Sequence, residues 1–581
     1  MAARPAPELV SGLRQEARQF AFLTRHFFHR LFRNDIVDFE DQMKERLIAV
    51  LSILAIIIFW SSETLLFKYN FVADAGNSWQ EKSYIFTLVM IIFGIVTLLE
   101  WDVLFPDRQD FLNLTPLPVR LRTLFFAKLA SSVLFIGLFS VAMNCGAAVL
   151  FSVYLAGWRV DKNLLFACRF AASHLLSAFA ACFFVFFACV FLQFLLMAVL
   201  PFGLYRRLSL YARAALIAFF IFLLLAFLVE PGILDSSFRS MGSLKDAGEP
   251  FFFRFPPFWF VGLYEKLLGT GDPAFEALAR TALLAMIVFL AGFAAASGLS
   301  YHRHVRKTLE SGKTRPPLTG FGRRWRRLLG KTVLRTPEER AVYGFFAETI
   351  RSSPKQRVTM AYYLAIAAGV VTLYIVANRE GLRALTPANR ALLVPPVFLA
   401  FSVLAGIRAL VNVPASPAAN WIFQVTDTGR PMRYVAGLKK AIFLRWLAPL
   451  FCLVFAVHLV IWDFGPALEH ALFGLTVSGL GLAAFFFRFR KIPFACTYVP
   501  GRTRIQTRLI PYVIFVLVFF SITSAIEEEL LRVPWQFVYF FALSAGLWLA
   551  FRIDGQRFYR GASLLYEEEP DPAMVTFPEN P

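Results

Sequence analysis

Apolar positions along this chain gather into runs of about 20 residues, the length a helix needs to cross a bilayer. Polar, basic or proline-bearing stretches separate the runs. Twelve spans follow from the pattern. The first six cover about 47–67, 84–105, 123–156, 164–200, 210–230 and 277–298. The second six cover about 358–378, 390–412, 440–462, 467–487, 509–525 and 534–551. The third and fourth are too long for one straight crossing, so they tilt, kink or extend past the lipid. The predicted fold class is an all-α polytopic integral membrane protein with about 12 transmembrane helices.

The connections carry a second pattern. Between 298 and 358 lies the one long polar stretch, basic and rich in Gly and Pro, which reads as a cytoplasmic linker. It divides the chain into a first six-span half (1–300), a linker (301–337) and a second six-span half (338–581). Six is an even number, so both halves enter the membrane in the same sense, as parallel repeats. Each half is preceded by an amphipathic segment. In 18–33, Phe20, Leu23, Phe27, Phe28, Leu31 and Phe32 fall on one helical face and the Arg and His residues on the other. The counterpart is 338–357. Both read as helices lying in the membrane interface.

Charge sets the orientation. The N-terminal segment and the second, fourth, eighth and tenth loops are rich in Arg and Lys, whereas the fifth, ninth and eleventh are mixed or acidic. The eleventh loop carries Glu527, Glu528 and Glu529. This places both termini in the cytoplasm, with the chain in the inner (plasma) membrane. The seventh loop dissents, with Arg379, Arg383 and Arg390 against Glu380. No signal peptide is legible, since the first 46 residues are charged.

Composition agrees. The chain is 58% hydrophobic with 67 Phe and a mean hydropathy of +0.60. The net charge of +20 is positive-inside anchoring rather than a nucleic-acid footprint, because no basic soluble domain exists to carry one. The six cysteines form no CxxC and lie mostly in apolar runs, so they read as small core residues.

Motifs for chemistry fail one by one. Gly330-Lys331-Thr332 and Gly312-Lys313-Thr314 read GK[ST], but the glycine a P-loop needs five residues earlier is Trp325 or Lys307. Glu527-Glu528-Glu529-Leu530-Leu531-Arg532 matches EExxxR, the first motif of the CPBP intramembrane proteases, yet no histidine follows His470 to complete that site. It reads as an acidic loop. The seven histidines lack the carboxylate or thiolate companions of a metal site. His174, inside a span, lines a pathway or is hydrogen-bonded within the bundle. Glu63, Glu100, Asp102, Glu230, Asp463 and Glu469 all sit at span ends, which argues against an ion-driven carrier and for an external engine. The chain is not read as an enzyme, and no cofactor is called for.

Two stretches remain. DRQDFLNLTPLPVRLRTLFFAK (107–128) and PAANWIFQVTDTGRPMRYVAGLKKA (417–441) each follow the second span of a half. Aligning Pro118 with Pro431 sets Arg120 on Arg433 and Thr115 on Thr428, with Lys128 near Lys439 and Lys440. This layout resembles the type 2 ABC exporter permeases, which have an interfacial helix, six spans and a cytoplasmic coupling segment after the second span. LTPLPVRLRTLFFAKL (114–129) resembles the coupling pattern, and FRFPPFWFVGLYEKLLG (253–269) resembles the Pro-Pro-Trp outer segment before the sixth span. Twelve spans in one chain, rather than six in each of two subunits, depart from the commonest members.

The resemblance implies a permease whose pathway forms between two pseudo-symmetric halves and is driven by separate ATPase subunits, in two copies. The implied coupling residues are Asp107, Arg108, Asp110, Pro116, Pro118, Arg120 and Arg122 in the first half, and Asp427, Arg430, Pro431 and Arg433 in the second. The prolines would stiffen a short protrusion. The rivals are a twelve-span secondary transporter and a membrane-embedded enzyme.

Overall fold

A computed structural model describes residues 6–31, 79–99, 119–157, 164–229, 254–310, 328–330, 332–379, 381, 385–411, 415, 419–495 and 505–566. The predicted span at 47–67 lies outside them. The chain divides into two compact units, Met1–Lys313 and Thr314–Pro581. The described residues are helical apart from turns and one isolated bridge between Lys491 and Leu565. Nine of the described helices are long and apolar enough to cross a membrane.

The first unit holds α1 (Ala6–Leu31), α2 (Trp79–Leu99), α3 (Leu121–Gly157), α4 (Leu164–Val199), α5 (Phe202–Val229), α6 (Pro256–Leu268) and α7 (Pro273–Glu310). Helices α3 and α4 are continuous over 37 and 36 residues, longer than one straight crossing needs. Helix α6 is the outer segment noted in the sequence. Pro256 and Pro257 open it, where their missing N–H groups cost nothing. Gly269 closes it at φ +79, a left-handed position that suits glycine. Helices α6 and α7 pack as a tight hairpin, because Gly262 lets the backbone of α7 approach. A Cβ at Gly262 would stand 2.4 Å from Leu278 Cβ and 2.8 Å from Phe275 O. Helix α4 runs down the middle of the unit, packed against α2, α3, α6 and α7.

The second unit holds α8 (Pro337–Ser352), α9 (Pro354–Ala377), α10 (Arg390–Leu410), the short α11 (Asn420–Val425), α12 (Pro431–Ile461), α13 (Phe464–Phe485), α14 (Ile505–Arg532) and α15 (Phe537–Arg560). Caps fix three starts. The Thr336 side chain accepts from Glu339 N, Ser353 from Gln356 N and Asn389 from Ala391 N. Helix α12 has one fault, a π turn over Phe443–Leu447 in which Ala448 N–H bonds Phe443 O. Pro449 explains it. Proline cannot donate to Arg445 O, and its ring pushes that carbonyl aside.

Two boundaries differ from the sequence pattern. Helix α7 continues to Glu310, and Leu329 and Leu334 are buried in the core of the second unit. The stretch from 301 to 337 therefore includes a helical extension and a docked strap. Helix α14 also runs through Glu527–Glu529, which the hydropathy pattern assigns to a loop. Nothing before Val533-Pro534 stops it, and Glu527 is buried rather than exposed.

Candidate functional site

The two amphipathic helices, α1 and α8, lead to the first site. In the first unit, α1 lies against the start of α3. Leu23 and Phe27 of α1 bury with Leu124 and Ala127 of α3, and Val119 packs alongside. Arg120 pairs with Glu16 at 2.7 Å. Lys128 is buried, with its Nζ 4.9 Å from the Phe27 ring centre.

The second unit repeats the theme with different side chains. Helix α8 lies against the start of α12. Arg433 pairs with Glu338 at 3.2 Å, and Thr428 Oγ1 donates to the same carboxylate at 3.0 Å. Lys440 pairs with Glu339 at 2.7 Å and donates to Val333 O at 2.9 Å. Backbones approach closely here too. A Cβ on Gly437 would lie 2.9 Å from Glu339 Cα and O. Hydrogen bonds at the N-terminus of α8, and those from Thr428, Thr336 and Arg433, hold the Glu338 carboxyl below its usual range.

Between α10 and α12 the chain forms a braced knuckle. Tyr434 OH donates to Thr426 O at 3.2 Å and accepts from Thr428 N at 3.4 Å. Asp427 Oδ1 accepts from Gly429 N at 2.9 Å, around a glycine at φ +66. Tyr566 OH donates to Phe423 O at 3.3 Å. Although braced from behind, α11 turns apolar residues outward. Phe423 is buried, whereas Trp421 is 61% and Val425 76% exposed, and Ile422 is exposed beside them. Arg430 is exposed at the next turn.

The coupling candidates therefore separate. Asp107, Arg108, Asp110, Pro116 and Pro118 lie outside the described residues. Arg120 and Arg433 are engaged by carboxylates of the amphipathic helices α1 and α8. Pro431 is buried as the first residue of α12, so it fixes the entry to that helix and does not project. Asp427 shapes the turn. Arg122 and Arg430 are exposed. Trp421, Ile422 and Val425 were inside the quoted stretch without being singled out. Their signal was three large apolar residues in a short segment between prolines.

Each unit also buries one glutamate of its own, Glu265 in the first and Glu527 in the second. In the first unit, Lys82 of α2 meets Glu265 of α6 at 2.5 Å, and both side chains are buried. Thr270 Oγ1 donates to the other Glu265 oxygen at 2.7 Å. The Lys82 ammonium lies 4.6 Å and 5.0 Å from the ring centres of Tyr264 and Phe170. His174 of α4 is buried, with its ring edge-on to Phe86 and Tyr264. In the second unit, His470 of α13 meets Glu527 of α14 at 2.6 Å, again fully buried. His458 of α12 lies with its ring centre 4.5 Å from that of His470, and Trp462 contacts both rings. The EExxxR stretch does have one histidine partner, His470, which comes from upstream. Sequence order hid it because α13 packs against α14.

Among the described residues, no group of three His, Cys, Asp or Glu has the arrangement of a metal site. No family model, no curated protein and no solved structure matches this chain.

Proposed function

We propose that this chain is the membrane-spanning permease subunit of an ATP-driven exporter of the ABC type 2 kind, with the motor on separate ATPase subunits. The observation that carries the reading is the knuckle of the second unit. A rigidly braced connection that exposes Trp421, Ile422, Val425 and Arg430 has the composition of a protein-binding hot spot, with a large aromatic and an arginine set among apolar residues. Its place between the second and third spans of its unit, beside an amphipathic helix, is where a coupling segment belongs. The first unit supports the reading through the matching ion pair of its own amphipathic helix, Arg120 with Glu16. In this view the two units are parallel repeats with both termini cytoplasmic.

The experiment is affinity purification of the full chain from its native membrane. An ATPase with a complete P-loop should co-purify. Trp421→Ala with Arg430→Glu should remove it while the chain still elutes as a folded species. Retention of the ATPase by that double variant ends the assignment.

A second reading has its own observation. The buried His470–Glu527 pair is a titratable group within the helical bundle, which an ion-driven carrier would use. Transport into vesicles under an ion gradient, without ATP, would favour it.

A further inference from the structure

The two buried carboxylates are neutralised differently. Glu265 has a lysine at 2.5 Å and a threonine hydroxyl at 2.7 Å, so both of its oxygens are served. Glu527 is as deeply buried, yet among the described residues its ion-pair partner is an imidazole. Arg390 at the start of α10 and Arg532 at the end of α14 are spent elsewhere, since both bind Glu528. Glu527 Oε2 and His470 Nε2 are buried and have no hydrogen-bond partner among the described protein atoms.

A nitrogen and an oxygen at 2.6 Å must hold a proton between them, because two lone pairs at that distance repel. With that proton alone, neutral His470 faces carboxylate and the site carries a buried negative charge. Such a charge without a lysine or arginine is costly in an apolar interior. One further proton makes the pair neutral overall, as imidazolium with carboxylate or imidazole with carboxylic acid. A proton is also the one ligand that needs no cavity.

The remaining neighbours do not pair with Glu527. His458 Nδ1 donates to Val454 O at 2.8 Å, and its ring stands against those of His470 and Trp462. From α15, the neighbouring side chains are Phe537, Phe540 and Phe541, packed with Phe473 and Leu530. Asp463 and Glu529 are exposed and Glu469 is half-buried, and none pairs with the cluster.

We propose that His470 and Glu527 form a proton-binding site, which holds one exchangeable proton within the helical interior of the second unit. The site does not depend on the ATPase reading, and its test needs no partner. Unfolded His, with a value of about 6.5, has shed that proton by about pH 7.5, and unfolded Glu sheds its own far lower. The folded chain then binds one proton more than the unfolded chain, so its stability falls as pH rises.

The test is thermal melting of the full chain in lipid nanodiscs from about pH 6.5 to 9, for wild type and Glu527→Gln. The amide of that variant is neutral without a proton. The expected result is that wild type loses up to about tenfold in folding equilibrium per pH unit more than the variant. Equal slopes overturn the proposal. If Glu527→Gln does not fold, the wild type is treated with dicyclohexylcarbodiimide, which attacks protonated carboxyls in apolar surroundings. Labelling at Glu527 that declines with rising pH, while Glu528 and Glu529 stay unlabelled, sustains the site. Absence of label at Glu527, together with His470 ring carbon-13 signals that show no imidazolium across that range, overturns it.

Discussion

Single residues hold this molecule in two chemically distinct ways. Lys82 and Glu265 are a buried pair that ties α6 to α2, and removing either partner strands a charge. Lys82→Ala or Glu265→Ala should each cost about 3–5 kcal/mol, whereas an apolar double replacement such as Lys82→Met with Glu265→Leu should cost much less. Melting of the three variants in one detergent checks this, and equal losses for single and double variants would show that the charges are not coupled. Glu338 is held by hydrogen bonds at a helix start, and its carboxyl ionises more readily than usual. Its contribution is complete above the unfolded value of about 4.3 and is lost as pH falls through the lower folded value. Acid should therefore weaken the seat of α8 in wild type, and Glu338→Gln should lose that acid dependence. Limited proteolysis near Thr336 as a function of pH reports it. At this scale the sequence was least legible. Glu265 and Glu527 stand 183 and 57 residues from their partners Lys82 and His470, and no local pattern marks such pairs. Arg120 and Arg433 were visible as basic residues, but not as residues already engaged.

At the scale of elements, periodicity served well. The apolar runs among the described residues became α2–α5, α7, α9, α10 and α12–α15, and 18–31 became part of α1; the expected helix over 338–357 instead ends at Ser352, and its last residues open α9. Helix ends misled where charge was taken as a loop signal. Glutamates do not stop a helix, and α14 ends only at Val533-Pro534. Close packing between elements rests on glycines that hydropathy passes over. Gly437→Ala should push α8 off α12 and cost about 1–3 kcal/mol, because the obstacle is Glu339 backbone rather than a mobile side chain. Gly465→Ala, with nothing within 4 Å, is the control and should melt within about 0.5 kcal/mol of wild type.

The whole molecule comprises two compact units, each bearing an amphipathic helix seated on the helix that follows a basic connection. If those seats transmit force from an ATPase, Arg433→Glu should impair transport more than ATPase binding, because it unseats α8 and leaves Trp421 exposed. Exchanging the charges, Arg433→Glu with Glu338→Arg, should restore transport. ATPase co-purification and vesicle export measured on the same preparations separate the two effects. An unrescued swap would remove the ion pair from the mechanism.

The π turn at Phe443–Leu447 gives α12 a knee between its α8-bound stretch and its apolar C-terminal stretch. A widened turn has slack that an ordinary helix lacks, and it sits where a swivel of the bound stretch would leave the rest of the rod in place. Replacing Pro449 with alanine would straighten the joint. The chain should then gain thermal stability in a detergent melt, and if it is the exporter subunit proposed above it should export more slowly into vesicles, as a hinge does when it is welded.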